Sequence, residues 1–329
     1  FAVSNGVGQG KILAGFGYCF YCFDLFEQLK LSGYGCTING VYAGIFGYSD
    51  DDILLSPSIS GLQGMLQIAE SFALNHGLKF STDPDPKKSK TKCIAWMKSP
   101  RPLPRMKLCG NYLPWVTEIL HLGNTITSDS YLLESDMKRK NAKYVSRNIE
   151  INQEFYFSAS ETKLTINDIW NSSWYGSVIW DLFCPSAEKI ESSWNRSIKI
   201  MLNLPYATHR GLLETLSGRK HLKRILIKRF IQFISKIKIS SKPILTTLLS
   251  AIRTDTRSTT GKNLRQIMII SGKSNIEDID IEDSNLFEYF PRPVEDEWKS
   301  EIIKIMMEEQ ELGNLDESDQ ELMDYLCCN

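Results

Sequence analysis

The chain has 329 residues, 42% of them hydrophobic and 23% charged, with 38 Lys and Arg against 39 Asp and Glu. That is the make-up of a globular protein with one large domain or two ordinary ones. No run of about 18 apolar residues occurs, which excludes a membrane-spanning helix. The start, FAVSNGVGQG, lacks Met, a basic n-region and an apolar h-region. It predicts no signal peptide, an intracellular (nuclear or cytoplasmic) protein, and a fragment whose N-terminal part is missing. The eight cysteines are scattered and do not read as a disulfide framework. Cys19-x-x-Cys22 has no second pair at zinc spacing and reads as core thiols. The net charge of −1 hides an asymmetry. The segments Lys79 to Lys107 and Arg219 to Lys242 are basic, and the tail from Glu277 onward is acidic. The basic middle suits nucleic acid; the acidic tail argues against the whole surface doing so.

In chain order, Phe16 to Leu31 predicts a helix, with Phe16, Cys19, Phe20, Phe23 and Leu29 as a core-facing stripe and Gly33 as its end. Val41 to Tyr48 and Ile53 to Leu55 predict two strands joined by a hairpin tip, Ser49-Asp50-Asp51. A helix is expected from about Ser60 to Asn75, with Leu62, Met65, Leu66, Ala69, Phe72 and Ala73 on one face and His76-Gly77 at its end. Gly61 and Gly64 weaken its first turn. Strands are expected at Leu78–Phe80 and Cys93–Trp96, with a Pro-rich basic loop between them, and a hairpin turn at Gly110-Asn111. Beyond Ser128 the strand signals vanish. Ser186 and Thr208 are candidate N-caps, His221 to Ile239 is a basic amphipathic helix, and Trp170, Trp174 and Trp180 read as core anchors. After about Ser271 the chain is acidic and polar, and partial order at best is expected.

The chemistry centres on GYSDDDILLSPS. Three adjacent carboxylates repel one another and resist burial unless a cation or solvent relieves them. A carboxylate pair at a hairpin tip offers Mg²⁺ the hard oxygen ligands it prefers and leaves room for waters and substrate phosphates. A two-metal phosphoryl-transfer site needs at least one more carboxylate. Gly6-Val7-Gly8-Gln9-Gly10 imitates a dinucleotide loop, but no strand precedes it and no acid follows at the required distance.

Taken in order, GVGQG, the stretch FGYSDDD, a helix, NHGLKF, KSKTK and HLG resemble the reverse transcriptases of non-LTR (LINE-type, RTE-like) retrotransposons. Segments such as NQEFYFSASETK, SVIWDLF, LPYATHRGLLETLSGRKHLKRILIKRF and RSTTGKNLR extend the resemblance over most of the chain, weakly only in the tail. It implies an α+β fold: a polymerase palm fragment over 1–127, a helical thumb and connection region over 128–271, and an acidic tail over 272–329. It also implies two-metal nucleotidyl transfer with Mg²⁺ or Mn²⁺, an RNA template, a DNA primer and deoxynucleoside triphosphates. Asp50 and Asp51 match the metal-binding acidic pair, and Tyr48 and Ser49 the residues before it. Gln9 and Gly10 match the element against template and incoming nucleotide. Lys90 or Lys92 falls where the family places a lysine near the triphosphate. His121, Leu122 and Gly123 match the hairpin that grips the primer.

Departures accompany the matches. The family's first catalytic Asp precedes the GVxQG element, where this chain has only its first residues, and Asp24 follows that element and cannot replace it. Gly8 stands where relatives commonly carry Arg, Ala14-Gly15 where they have Ser-Pro, and Asp52 in a usually apolar strand position. The chain alone is therefore expected not to polymerise. Two alternatives remain: a non-catalytic nucleic-acid-binding remnant, and a metal-dependent glycosyltransferase using Asp50 and Asp52 as a D-x-D site. The second leaves GVxQG, the lysine segment and HLG without a role.

Overall fold

The computed structural model describes residues 14–273, apart from 86, 98–100, 129–132, 172–173 and 256. These residues form a mixed α+β structure whose strands make only short antiparallel hairpins. They divide into two compact units. The first runs to Tyr131 and takes in Lys236–Asp255; the second runs from Leu132 to Ser235 and resumes at Thr256. Where the sequence predicts one helical region over 128–271, the structure therefore returns one segment to the first unit. Among the described residues no helix is long and apolar enough to cross a membrane.

The first unit opens with α1 (Ala14–Tyr21) and α2 (Phe23–Leu31). The continuous helix expected over 16–31 is divided at Cys22, a single turn residue between α1 and α2 whose φ of −86° and ψ of −2° stay in the right-handed helical region. The expected core stripe is corrected with it: Phe16, Phe20 and Phe23 are 75%, 79% and 59% exposed. The buried face is Cys22, Leu25 and Leu29, at i, i+3 and i+7. Two hairpins follow, β1 (Thr37–Ile38) with β2 (Val41–Tyr42), then β3 (Ile45–Tyr48) with β4 (Asp51–Leu54).

Helix α3 (Ile59–Asn75) organises this unit. Ser58 starts it by accepting the Gly61 N–H on its side chain, as an N-cap should, and His76 ends it. One side of α3 packs Met65, Ala69 and Phe72 against Leu25 and Leu29, with Ile45 and Leu54 closing over them. The other side places Leu66 against Cys93, Met106, Leu108 and Leu113. Each large side chain buried in this way contributes about 1.5–3 kcal/mol. Three further corrections follow. The stretches Leu78–Phe80 and Cys93–Trp96 are not strands; Leu78 and Phe80 still pack into the core. Cys93 makes only a single parallel bridge to Trp115. The next hairpin, β5 (Met106–Leu108) with β6 (Asn111–Leu113), turns at Cys109-Gly110 rather than Gly110-Asn111. Both turn residues have positive φ (50° and 79°), the two-residue geometry that wants Gly second. β7 (Glu118–His121) and β8 (Asn124–Thr127) close the run.

The second unit is helical. α4 (Glu134–Glu154) packs on α5 (Ser160–Asn171) and α6 (Pro185–Met201), and a 3₁₀ turn spans Ser177–Ile179. α7 (Arg210–Ser217), α8 (Leu222–Lys238) and α10 (Thr259–Ser271) complete the chain's order, with α9 (Pro243–Thr254) lying against β1 and β2 in the first unit. The expected caps are corrected: α6 starts from Cys184 with Pro185 at its first position, and α7 from His209, whose Nδ1 accepts the Gly211 N–H. A proline at N1 fixes φ and has no N–H to leave unpaired, so it sets the start of α6 ahead of Ser186. Trp174 and Trp180 are buried as expected, joined by Trp194 around Tyr144. Trp170 is 39% exposed and is no core anchor. α8 buries Leu222, Leu226, Ile227, Phe230, Ile231 and Ile234 along one face, as an amphipathic helix does.

Candidate metal and nucleic-acid site

The β3–β4 hairpin pairs Ile45 with Leu54, Phe46 with Ile53, Gly47 with Asp52 and Tyr48 with Asp51. This register leaves Ser49 and Asp50 as a two-residue turn and makes Asp51 the first residue of β4, one position outside the expected tip. Ser49 adopts φ of 57°, unusual for a residue with a side chain and typical of such tight turns. The base of the hairpin is fixed because Ile45 and Leu54 pack on the α2–α3 core. Asp50 and Asp51 are both exposed. Tyr48, facing Asp51 across the ladder, is 67% exposed.

Asp52 behaves differently. It sits opposite Gly47, and a Cβ on Gly47 would meet an Asp52 Oδ1 at 2.7 Å and the Phe26 ring at 2.6 Å. The carboxylate occupies the space that a side chain at position 47 would take. Burial, and then Asp51 and Asp50, push its pKa up from 3.8 to about 6. Burial also raises the Tyr18 hydroxyl, which bonds Cys22, and Asp52 and Asp50 add to that shift. A half-buried carboxylate here is thus tolerated by partial neutralisation and by the missing side chain at Gly47. Neither sequence periodicity nor motif spacing points to Gly47; only the register does.

The other expected site residues distribute as follows. Gln9 and Gly10 lie outside the described residues, as does the acidic tail from 274 onward. Lys90 and Lys92 are exposed on either side of Thr91, which is tied to the Ser81 carbonyl through its N–H (3.0 Å) and Oγ1 (3.1 Å). His121 ends β7 and pairs with Asn124, and Leu122-Gly123 forms a turn with φ of 45° and 77°. These residues share the first unit, but no hydrogen bond or ion pair joins Asp50 or Asp51 to Lys90, Lys92 or His121 among the described residues. Nor is any group of three His, Cys, Asp or Glu side chains there arranged to hold a metal ion. Two exposed carboxylates at a fixed tip do match the donor chemistry of a hydrated Mg²⁺, which binds through one or two carboxylates and keeps waters.

In the second unit the basic stretch is largely committed to neighbours. Arg219 Nε meets Asp168 at 2.7 Å, Arg224 Nη1 meets Glu214 at 2.8 Å, and Lys223 lies 5.0 Å from the Phe183 ring centre. Burial lowers the pKa of Arg229. These cations hold α7 and α8 to their surroundings, a use that a count of basic residues does not distinguish from binding phosphate.

No protein-family model matches the chain, and no curated protein matches it.

Proposed function

We propose that this chain is part of an RNA-directed DNA polymerase of a non-LTR retrotransposon, with the β3–β4 hairpin as its metal platform. One observation carries the reading: Asp50, in the two-residue turn, and Asp51, the first residue of β4, are adjacent and exposed at the end of a hairpin whose base is anchored in the core. The ordered motifs before and after that hairpin support it. Asp50 and Asp51 would hold Mg²⁺, which neutralises charge on a transferring phosphoryl group when bound. Tyr48 offers an exposed ring beside the pair. Lys90 and Lys92 supply cations on a hydrogen-bonded loop for a triphosphate, and the Leu122-Gly123 turn presents backbone to a primer end. RNA template, DNA primer and deoxynucleoside triphosphates are the partners of this reading.

Asp52 is turned toward Gly47, and among the described residues no group of three His, Cys, Asp or Glu is arranged to hold a metal ion, so a two-metal centre would need a further carboxylate. The D-x-D alternative gains nothing from the geometry, since Asp52 lies under the vacant side of Gly47 rather than outward with Asp50. Two measurements test the proposal. Mn²⁺ should broaden resonances of the hairpin tip, and Asp50→Ala with Asp51→Ala should abolish the effect; no localised broadening overturns the metal platform. Primer extension on an RNA template should yield no product with the chain alone. Template-dependent DNA synthesis lost in Asp50→Ala would establish the polymerase and overturn its inactivity.

A further inference from the structure

The β5–β6 hairpin presents one buried and one exposed face. Met106, Leu108 and Leu113 point into the core, while Lys107 and Tyr112, paired directly across the ladder, point outward. Tyr112 is 52% exposed, and the Arg105 guanidinium lies 5.3 Å from its ring centre. The side-chain amide of Gln63, on α3, clamps the outward backbone of Lys107: Nε2 donates to its carbonyl at 2.9 Å and its N–H donates to Oε1 at 3.1 Å. An exposed aromatic ring, with the Arg105 guanidinium beside it and Lys107 as its cross-strand partner, is thereby held on a hydrogen-bonded support.

The basic loop is tied to the same edge. Thr91 bonds Ser81; the neighbouring Thr82 accepts the Asn111 Nδ2 at 3.1 Å; Asn111 precedes Tyr112. After the loop, Cys93 bonds along the chain that leaves β6, its N–H to the Pro114 carbonyl and its carbonyl to the Val116 N–H. From Lys79 to Leu113 the sequence holds nine lysines and arginines against Asp83 and Asp85. Both acids are used in the loop's own turns, Asp83 accepting the Asp85 N–H and Asp85 the Lys87 N–H. Lys87, Lys88, Arg105 and Lys107 are exposed, and among the described residues no carboxylate lies within ion-pair distance of them.

We propose that this face is a binding surface for single-stranded nucleic acid. Lys87, Lys88 and Lys107 contact the phosphate backbone, and Tyr112, with Arg105 beside it, is a platform on which one base stacks. Charge complementarity selects a polyanion. The exposed ring selects one with unpaired bases, since stacking needs a free base face. The surface uses neither Asp50 nor Asp51 and does not depend on the polymerase reading.

The test is fluorescence anisotropy of a labelled oligothymidylate, about 20 nucleotides long, with the full chain in EDTA over about 50–200 mM salt. EDTA removes metal chemistry, so failure to synthesise DNA leaves the result untouched. Replacing Lys87, Lys88 and Lys107 together by Ala should flatten the slope of log affinity against log salt by about 2, roughly 0.7 for each lost phosphate contact. Tyr112→Ala should lower affinity about 10-fold with little change in slope, and Tyr112→Phe should retain it. Lys30→Ala, at an exposed lysine elsewhere in the first unit, should change nothing. Wild-type slope and affinity in the variants overturn the proposal. So does an equal loss in Lys30→Ala, which would make the binding diffuse. Binding to anionic phospholipid vesicles through these residues, without oligonucleotide binding, overturns it as well.

Discussion

The indole N–H of Trp180 donates to the carboxylate of Asp136 at 2.8 Å, although 44 positions separate them in sequence. Asp136 is fully buried and also takes Lys140 at 2.7 Å and Arg139 at 3.0 Å. Asn263 holds the other end of the same residue, donating to the Trp180 carbonyl at 2.6 Å and accepting the Leu182 N–H at 3.0 Å. α4, the 3₁₀ turn and α10 therefore meet through one tryptophan.

Removing the carboxylate strands a mostly buried lysine and an indole donor. Asp136→Ala should cost about 3–5 kcal/mol, and Trp180→Phe, which deletes the donor and leaves a cavity, about 2–4 kcal/mol. Urea unfolding followed by tryptophan fluorescence for the first variant and by circular dichroism for the second reads both. A loss below about 1 kcal/mol in Asp136→Ala would show that the ion pairs do not stabilise the unit.

Asp52 gives stability a pH dependence of defined sign. Its carboxyl titrates near 3.8 in the unfolded chain and near 6 in the folded one. Between those values the folded chain holds more proton, so stability falls as pH rises from about 4 to about 6 and stays lowered above that. Asp52→Asn should remove this slope and raise stability at pH 7 by about 1–2 kcal/mol, allowing for partial solvent exposure. Thermal melts across pH 4 to 8 check it, and an unchanged slope in the variant assigns the effect elsewhere.

Gly64 lies where α3 meets the ring of Tyr34: an added Cβ would come within 2.6 Å of it. Helix propensity favours Ala over Gly by about 1 kcal/mol, and overpacking costs about 1–3 kcal/mol. Gly64→Ala should therefore be destabilising, and Gly64→Ala with Tyr34→Ala should recover part of the loss. A more stable single variant would mean that Tyr34 moves aside freely.

The two faces of the first helices should respond unequally. Phe20→Ser, at a residue 79% exposed, should change stability by less than about 0.5 kcal/mol. Leu25→Ala, at a buried position on the α2 side, should cost about 2–4 kcal/mol. Comparable losses in the two would restore Phe16, Phe20 and Phe23 to the core.

The sequence makes most of α3 legible, because a regular apolar face and a His-Gly stop agree on it, while its start at the Ser58 cap, with Gly61 in the first turn, is seen only in the structure. The acidic hairpin is legible as a hairpin, but its register is not; that hides the pairing of Asp52 with Gly47 and moves Asp51 from the tip into β4. The aromatic stripe misleads because periodicity says which residues share a face, not what covers it. The stretch around Asn39-Gly40 carries a strong turn signal, yet the short β1–β2 hairpin is hidden by its two-residue strands. The Lys107–Tyr112 face escapes notice because the alternation in β5 and β6 spans only three residues each.

The division of the chain has a consequence for its synthesis. Each unit is built from two separate lengths of sequence, because Lys236–Asp255 belongs with the segment that ends at Tyr131. On the ribosome the first unit cannot be completed when its strands emerge. α9, which lies on β1 and β2, appears only after α4 to α8 have been made. The β1–β2 hairpin must wait through that interval with its α9-facing surface uncovered, so early chaperone engagement or nascent-chain proteolysis should concentrate there.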